Sequence, residues 1–419
     1  MVPRKKTACL VGCSAMRPPD PVSLLADLVR RPSVNPMGRE VSGPQYLEGR
    51  VGDYLVQRLS AAGIPLARQH VAPGRDTIVA RLEATVPDAP VLLWDAHQDT
   101  VPAEGMSIEP FSPVVRDGRM YGRGTCDVKG GLAAMVTALE RLVVADKRHA
   151  TVVFAATVNE EFGFAGALAL AALWHGPGKA PGDEAVRQLL GGSPAMAIVA
   201  EPTQLDLVVS HKGSMKWRTR VHGRACHGAF PEQGVNALYA ASRAALAIEE
   251  LSAELLTRNP DHPCGPPTLS LGTLRGGTGV NLVPDLAVLE IERRLLPNES
   301  PATARAEVID RIAAACGSAR IDHEQPFNDA YGLPDGTANP AAAPWAAALE
   351  KAARGRGAGR RTAARYGTNA GVYAAAGVPS IVFGPGSIAQ AHTADEWIDL
   401  GQLAAAADVL MEIVTTGPV

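Results

Sequence analysis

The chain has 419 residues, too many for one ordinary domain, so two domains are expected. Hydrophobic residues make up 46% and charged residues 20%, which is enough to bury a large core. A formal net charge of -3 without a basic run argues against a nucleic-acid surface, and no run of about 18 apolar residues is present to span a membrane.

At the N-terminus, Arg4, Lys5 and Lys6 precede Leu10-Val11-Gly12-Cys13, which is similar to a bacterial lipoprotein cleavage box. The apolar part is shorter than the about 7–15 residues of a signal peptide, so residues 1–20 are expected to be a disordered leader, with export the alternative. Cys9, Cys13, Cys126, Cys226, Cys264 and Cys316 form no CxxC pair. That scatter fits neither a thiolate zinc site nor a disulfide framework, and it points to a reducing, cytoplasmic compartment.

From residue 21 onward the pattern is α/β. A helix is predicted over 43–62, with Tyr46, Leu47, Val51, Tyr54, Leu55 and Leu59 on one stripe. Strands follow over 77–82, 91–94, 151–158 and 195–200, each almost continuously apolar, as strands covered on both faces must be. A helix over 130–144 lies between two of them, so a largely parallel sheet with helices on both faces is expected. From 207 to 327 the texture changes. Residues 208–221 alternate like a half-exposed strand, 236–256 are helical, and strands over 268–274 and 286–295 precede a helix over 301–316 and a short final strand. A β-α-β-β-α-β order is the ferredoxin-like arrangement. The expected organisation is a larger domain built from 21–206 and 328–419 with a small α+β domain inserted over 207–327. Residues 352–365, rich in Arg, Gly and Ala, read as a solvated helix end and loop, and 380–383 as one more strand of the larger domain.

Four predicted strands run into residues that ligate metals. They lead to His97 and Asp99, to Glu160 and Glu161, to Glu201, and through Gly384-Pro385-Gly386 to His392. Open α/β sheets bind ligands at the carboxyl ends of their strands. Acidic groups and imidazoles gathered there repel one another and lose water unless a cation compensates them. Singly, each residue has an ordinary explanation: a hydrogen-bonded histidine, a solvated Glu pair, a helix cap at Asp127. Together at one sheet edge they indicate a metal site.

The segments His97-Gln98-Asp99-Thr100-Val101-Pro102, Tyr121-Gly122-Arg123-Gly124-Thr125-Cys126-Asp127-Val128-Lys129-Gly130-Gly131 and Asn159-Glu160-Glu161 resemble the two-zinc hydrolase family of aminoacylase, acetylornithine deacetylase, succinyl-diaminopimelate desuccinylase and carboxypeptidase G-type enzymes. Glu201-Pro202-Thr203, Phe383-Gly384-Pro385-Gly386, Ala391-His392 and Asp395-Glu396 continue the match, from about residue 21 to the end. The resemblance implies a zinc-peptidase-like catalytic domain with an inserted dimerisation (lid) domain. It places His97, Asp127 and Glu201 on one zinc ion and Asp127, Glu161 and His392 on the other, with Asp127 bridging. Such ligation suits zinc, with cobalt or manganese as substitutes. Asp99 follows His97 by two residues, so on an extended segment both side chains point the same way and Asp99 can accept the second imidazole N–H. Glu160 adjoins a ligand without being one, which leaves it free as general base for water activated by the ions. A cis peptide after Asp127 is implied as well. Cys126 beside Asp127 admits a thiolate reading, which the carboxylate-rich surroundings disfavour.

In the inserted domain, Gly223-Arg224-Ala225-Cys226-His227-Gly228 with Pro231 and Gly234-Val235-Asn236-Ala237 resembles the family's dimerisation motif. By that resemblance the chain is a homodimer, and His227 enters the other subunit's site to stabilise the tetrahedral oxyanion. Asn281 and Arg294 match substrate-binding positions, Arg294 with a fork suited to a carboxylate, and Gly386 offers a backbone N–H. Asn369 stands where relatives often carry Asp. The implied substrate is an N-acyl amino acid. A short peptide, cleaved by a dipeptidase or carboxypeptidase, is the alternative, because the metal core is the same. A serine hydrolase lacks its GxSxG elbow, a nucleotide enzyme lacks its fingerprint, and a non-catalytic binding protein has no use for a free base at Glu160.

Overall fold

The computed structural model describes residues 19–329 and 331–418, so the lipoprotein-like box lies outside the described residues. Asp20 already belongs to the fold. Its carboxylate accepts the N–H groups of Val22 and Ser23 and caps helix α1 (Pro21–Val29). Helix α2 (Gly49–Ala61) buries Val51, Leu55 and Leu59 as the stripe predicts, but it starts at Gly49 and not at residue 43. The reason is local: Leu47 has φ 64 and Tyr46 bridges to Val34, so neither can join the helix.

Next come β1 (Leu66–Ala72), β2 (Arg75–Leu82), β3 (Val91–His97), the hairpin of β4 (Val114–Arg116) and β5 (Arg119–Tyr121), α3 (Lys129–Val143), β6 (Thr151–Thr157), α4 (Ala165–Ala172), α5 (Asp183–Leu190), β7 (Met196–Val199) and β8 (Leu207–His211). The small unit holds β9 (Gly213–His222), β10 (Cys226–His227), α6 (Ala237–Leu256), β11 (Thr268–Gly276), β12 (Leu282–Val283), β13 (Leu286–Leu295), α7 (Pro301–Cys316), β14 (Arg320–His323) and β15 (Asn328–Asp329). The chain returns through α8 (Ala343–Arg354), β16 (Arg361–Ala364), α9 (Asn369–Ala375), β17 (Ser380–Val382), β18 (Trp397–Asp399) and α10 (Leu400–Thr416).

The larger sheet has eight strands in the order β1-β2-β6-β3-β7-β17-β8-β16. Its centre, β6-β3-β7-β17, is parallel. Alternate side chains of one strand feed two cores. Leu92, Trp94 and Ala96 pack with α1, α2, α3, α8 and α10, while Leu93 packs on the other face with α4, α5 and α9. That is why these strands are apolar along most of their length. Each such fully buried side chain contributes about 1.5–3 kcal/mol.

The small sheet is antiparallel in the order β11-β13-β9-β14, with α6 and α7 covering one face through Met215, Trp217, Leu251, Leu289 and Val308. The expected boundaries move. Residues 208–221 are two strands: β8 belongs to the large sheet and β9 to the small one, the change falling at Lys212. Lys212 is buried there, and its ammonium donates to the Pro266 carbonyl, which fixes the corner. On the return, β15 still pairs with β9, so the small unit runs past 327. Residues 361–364, read as loop, form the edge strand β16 beside β8. Phe162 of the larger unit stacks on Phe327 at 5.4 Å, tying the two units together.

Candidate metal centre

The four central strands end at one edge, and the predicted residues meet there. His97 closes β3, Glu160 and Glu161 follow β6, Glu201 follows β7, and the loop after β17 delivers His392. Asp127 precedes α3, joined to Val128 by a cis peptide. His97 Nε2 lies 3.2 Å from Asp127 Oδ1 and 3.9 Å from Glu201 Oε1. His392 Nε2 lies 3.3 Å from Asp127 Oδ2 and 3.4 Å from Glu161 Oε2. The two oxygens of Asp127 thus face different imidazoles. Ligand atoms of His97, Asp127 and Glu161 all fall within 4.8 Å of one another, as do those of His97, Glu160 and Glu201. His392 has φ 62, a left-handed conformation uncommon outside glycine and asparagine and concentrated at functional sites.

The electrostatics ask for cations. Burial pushes the carboxyls of Glu160 and Glu201 well above the usual carboxylate range, and Glu161 upward too. Burial would raise Asp127 as well, but the His392 and His97 imidazoles overcome it and hold that carboxyl low. His97 is pushed well up despite its burial, by Asp127 and then Asp99, and His392 is pushed up to about 11 by Asp127 and then Glu161. His97 Nε2 and Glu161 Oε1 are buried without a hydrogen-bond partner, a cost of about 1–3 kcal/mol each when nothing binds them. Two imidazoles, three carboxylates and these orphaned atoms fit a pair of divalent cations. The thiol of Cys126 does not join them: burial and Glu396 push it up, and its Sγ faces the Ser387 carbonyl at 3.3 Å.

Asp99 departs from its expected contact. His97 Nδ1 lies 2.9 Å from the main-chain carbonyl of Asp99, whereas the Asp99 carboxylate is 3.6 Å away. That carboxylate accepts instead from the N–H groups of Glu160 at 3.1 Å and Glu161 at 3.2 Å, and from Asn35 Nδ2 at 2.7 Å. Asp99 therefore fixes the loop that carries both glutamates. Glu396 does the same for Asp127, accepting from the N–H groups of Gly124, Cys126 and Asp127 and from Arg123. Asp395-Glu396 belongs to the motif run of the sequence, which gives no sign of this task. The signal available was one of several acids, Asp395, Glu396 and Asp399, around Trp397, which is weak.

The cavity over these residues measures about 360 Å³, and its opposite wall comes from the small unit: Ser214, Lys216, Glu292, Arg294 and Asn328. Arg294 thus lines the cavity; the other four carry no mark in the sequence, because polar residues on an alternating strand look like a solvated face. His227 and Asn281 sit together, with β10 paired to β12 and Gly228 N–H donating to the Asn281 carbonyl at 2.8 Å, but neither lines this cavity. Gly386 does not present a free N–H. It donates to Gln402 Oε1 at 2.9 Å, and a Cβ there would meet Cys126 Sγ at 2.6 Å, so its glycine serves close packing. Asn369 is buried beneath the site, donating to Asp95 Oδ2 at 2.8 Å and Thr157 Oγ1 at 3.0 Å.

Residues 93–416 match the model of peptidase family M20/M25/M40. An acetylornithine deacetylase of Proteus mirabilis is 30% identical over 338 residues, covering 77% of this chain and 78% of its own length. A succinyl-diaminopimelate desuccinylase of Methylibium petroleiphilum is 32% identical over 314 residues, covering 70% and 74%. Among solved structures, an M20 family metallo-carboxypeptidase of Sulfolobus solfataricus superposes with a TM-score of 0.71 at 15% identity, covering 94% of this chain and 98% of that one. A Bacillus subtilis dinuclear metal binding peptidase of the M20 family does so at 0.62 and 16% identity, covering 94% and 97%.

Proposed function

The chain belongs to peptidase family M20/M25/M40, and on that premise we propose that it hydrolyses the amide bond of an N-acyl amino acid at a pair of zinc ions, with cobalt or manganese as substitutes. The observation that carries the reading is Asp127, whose two oxygens are turned toward separate histidines as a shared ligand requires. His97, Asp127 and Glu201 would hold one ion, and Asp127, Glu161 and His392 the other. When bound, the ions supply Lewis acidity that polarises the amide carbonyl and brings the pKa of water toward neutrality. Glu160, made more basic by burial, takes the proton of the attacking water and passes it to the leaving nitrogen. Asp99 holds Glu160 and Glu161 in place through their N–H groups. Arg294 pairs two N–H groups with the carboxylate next to the scissile bond.

Sequence relatives named as deacylases favour an acyl substrate over a dipeptide or C-terminal residue. The test is a panel of N-acetyl and N-succinyl amino acids against dipeptides, run with zinc and after chelation. N-acyl turnover that a chelator abolishes and zinc restores is expected; turnover of dipeptides alone would replace the deacylase reading with the peptidase one. No helix among the described residues is long and apolar enough to cross a membrane, and a cytoplasmic setting agrees with the scattered cysteines.

A homodimer through the small unit completes the proposal. Among the described residues β11 ends its sheet with one edge unpaired, and Tyr239 and Leu246, seven residues apart on α6, are largely exposed beside it. Joining two copies there would bring His227 of the partner subunit to the cavity as the oxyanion donor. Such a donor is worth about 10²–10³ in rate, so His227→Ala should lower kcat by that factor without loss of metal. Mixing inactive Glu160→Ala with His227→Ala protein should restore part of the activity, since a mixed dimer holds one site with both groups. A monomer by sedimentation, or no recovery in the mixture after subunit exchange, refutes the shared site.

A further inference from the structure

The cavity wall opposite the metal ligands is the polar face of the small sheet. Strand pairing places Asn328, Lys216 and Glu292 in one cross-strand row and Ser214 and Arg294 in the next. Glu292 Oε1 is shared between Arg294 Nη2 at 2.7 Å and Ser214 Oγ at 3.1 Å. Lys216 Nζ stays 3.7 Å from that oxygen, beyond hydrogen-bond reach, and turns to the cavity. Asn328 is only 4% exposed, yet its Oδ1 is buried with no hydrogen-bond partner. Asn328 lines the cavity beside Lys216, and its amide carries N–H donors.

These groups do not satisfy one another. Two cations share one carboxylate, so the wall keeps a surplus of positive charge. A carboxylate placed against Lys216, within reach of the Asn328 amide, would remove that surplus, and it would not need the fork of Arg294. An ammonium in that position would be repelled by Lys216. Diagonal neighbours on an antiparallel pair, as Lys216 and Arg294 are, lie about 7–8 Å apart, a separation that two carboxylates of one small dianion can span.

We propose that Lys216 and Asn328 form a second carboxylate-binding position beside Arg294, so that the preferred substrate is an N-acyl amino acid bearing two carboxylates. One stands next to the scissile amide and goes to Arg294; the other, on the acyl group or on the amino-acid side chain, goes to Lys216 and Asn328. This rests on the deacylase reading and narrows its substrate class.

The test compares kcat/KM of the zinc-loaded enzyme for N-acetyl-alanine, N-succinyl-alanine and N-acetyl-glutamate. Binding of the same three compounds to Glu160→Ala protein is measured in parallel by calorimetry. At least one dianion should be preferred tenfold or more over N-acetyl-alanine, and which one tells whether the second carboxylate belongs to the acyl group or the side chain. Lys216→Ala should cost that dianion at least tenfold more than the monoanion, through KM, and should weaken its binding likewise; Lys216→Arg should restore most of the loss. Lys216 is half-buried at the cavity wall, and the arginine variant controls for disturbed packing. Equal losses for all three compounds would mean that Lys216 only steadies Glu292, and the proposal would fall. A preference that survives Lys216→Ala would sink it too. If no compound is hydrolysed, the deacylase reading fails, while Lys216-dependent dianion binding still decides the subsite.

Discussion

Replacing Glu160 with alanine is expected to lower kcat by about 10²–10⁴ while both metal ions stay bound. The residue is buried at the strand edge, and burial with the neighbouring carboxylates Glu161, Asp99 and Asp127 makes its carboxyl more basic than a free one. A base with a raised pKa is matched to taking a proton near neutral pH. Its distance from His97 and Glu201 is short enough for a ligand, so metal content separates the two possible tasks. A lost base slows the chemistry and leaves the ions in place; a lost ligand releases one of them. Glu160→Gln should match the alanine variant, since it keeps the shape and cannot accept the proton. Steady-state kinetics and elemental analysis on the same samples decide it. A variant within tenfold of the parent rate, or one lacking a metal equivalent, contradicts the assignment.

The sequence exposed the larger architecture because its physical causes are local. Strands covered on both faces must be largely apolar, and 151–158 shows it between and beyond its two threonines; helix α7 runs from Pro301 to Cys316 as predicted because Ser300 caps it and Gly317 ends it. The gathering of these side chains was legible for a related reason: His97 closes β3, and Glu160, Glu161 and Glu201 stand within a few residues of the ends of β6 and β7. What stayed hidden depends on contacts between distant segments. The break at Lys212 needs the Pro266 carbonyl, more than fifty residues away, to be seen as a corner. Asp99 looked like a partner for the His97 ring, since spacing shows which way a side chain points but not which N–H groups arrive there from another loop. Lys216 and Asn328 were indistinguishable from a solvated strand face until β9 was placed across the cavity.

Asp127→Ala is expected to empty the site of both ions and reduce turnover to background. Among the described residues only Asp127 presents an oxygen toward each histidine, so its removal would take one ligand from each proposed ion and leave Glu161 and Glu201 with uncompensated charge. Its loop should survive the change. Glu396 holds that segment through main-chain N–H groups, including that of residue 127 itself, and those bonds do not involve the lost carboxylate. Unfolding is therefore not expected to account for the loss, and far-ultraviolet circular dichroism should remain that of the parent. The same competition fixes the pH dependence of metal uptake. Without cations, His392 is pushed up to about 11, His97 well above its usual value, and Glu160, Glu161 and Glu201 are raised as well, so near neutral pH the site holds protons that the ions must displace. Loading the parent protein should release protons, and its zinc affinity should fall by roughly tenfold per pH unit for each proton released as pH drops from about 8 to about 6. Chelator competition across that range measures the affinity, and calorimetry in buffers of different ionisation enthalpy counts the protons. Full metal content in Asp127→Ala, or an affinity indifferent to pH, would show that the cluster does not cage the cations.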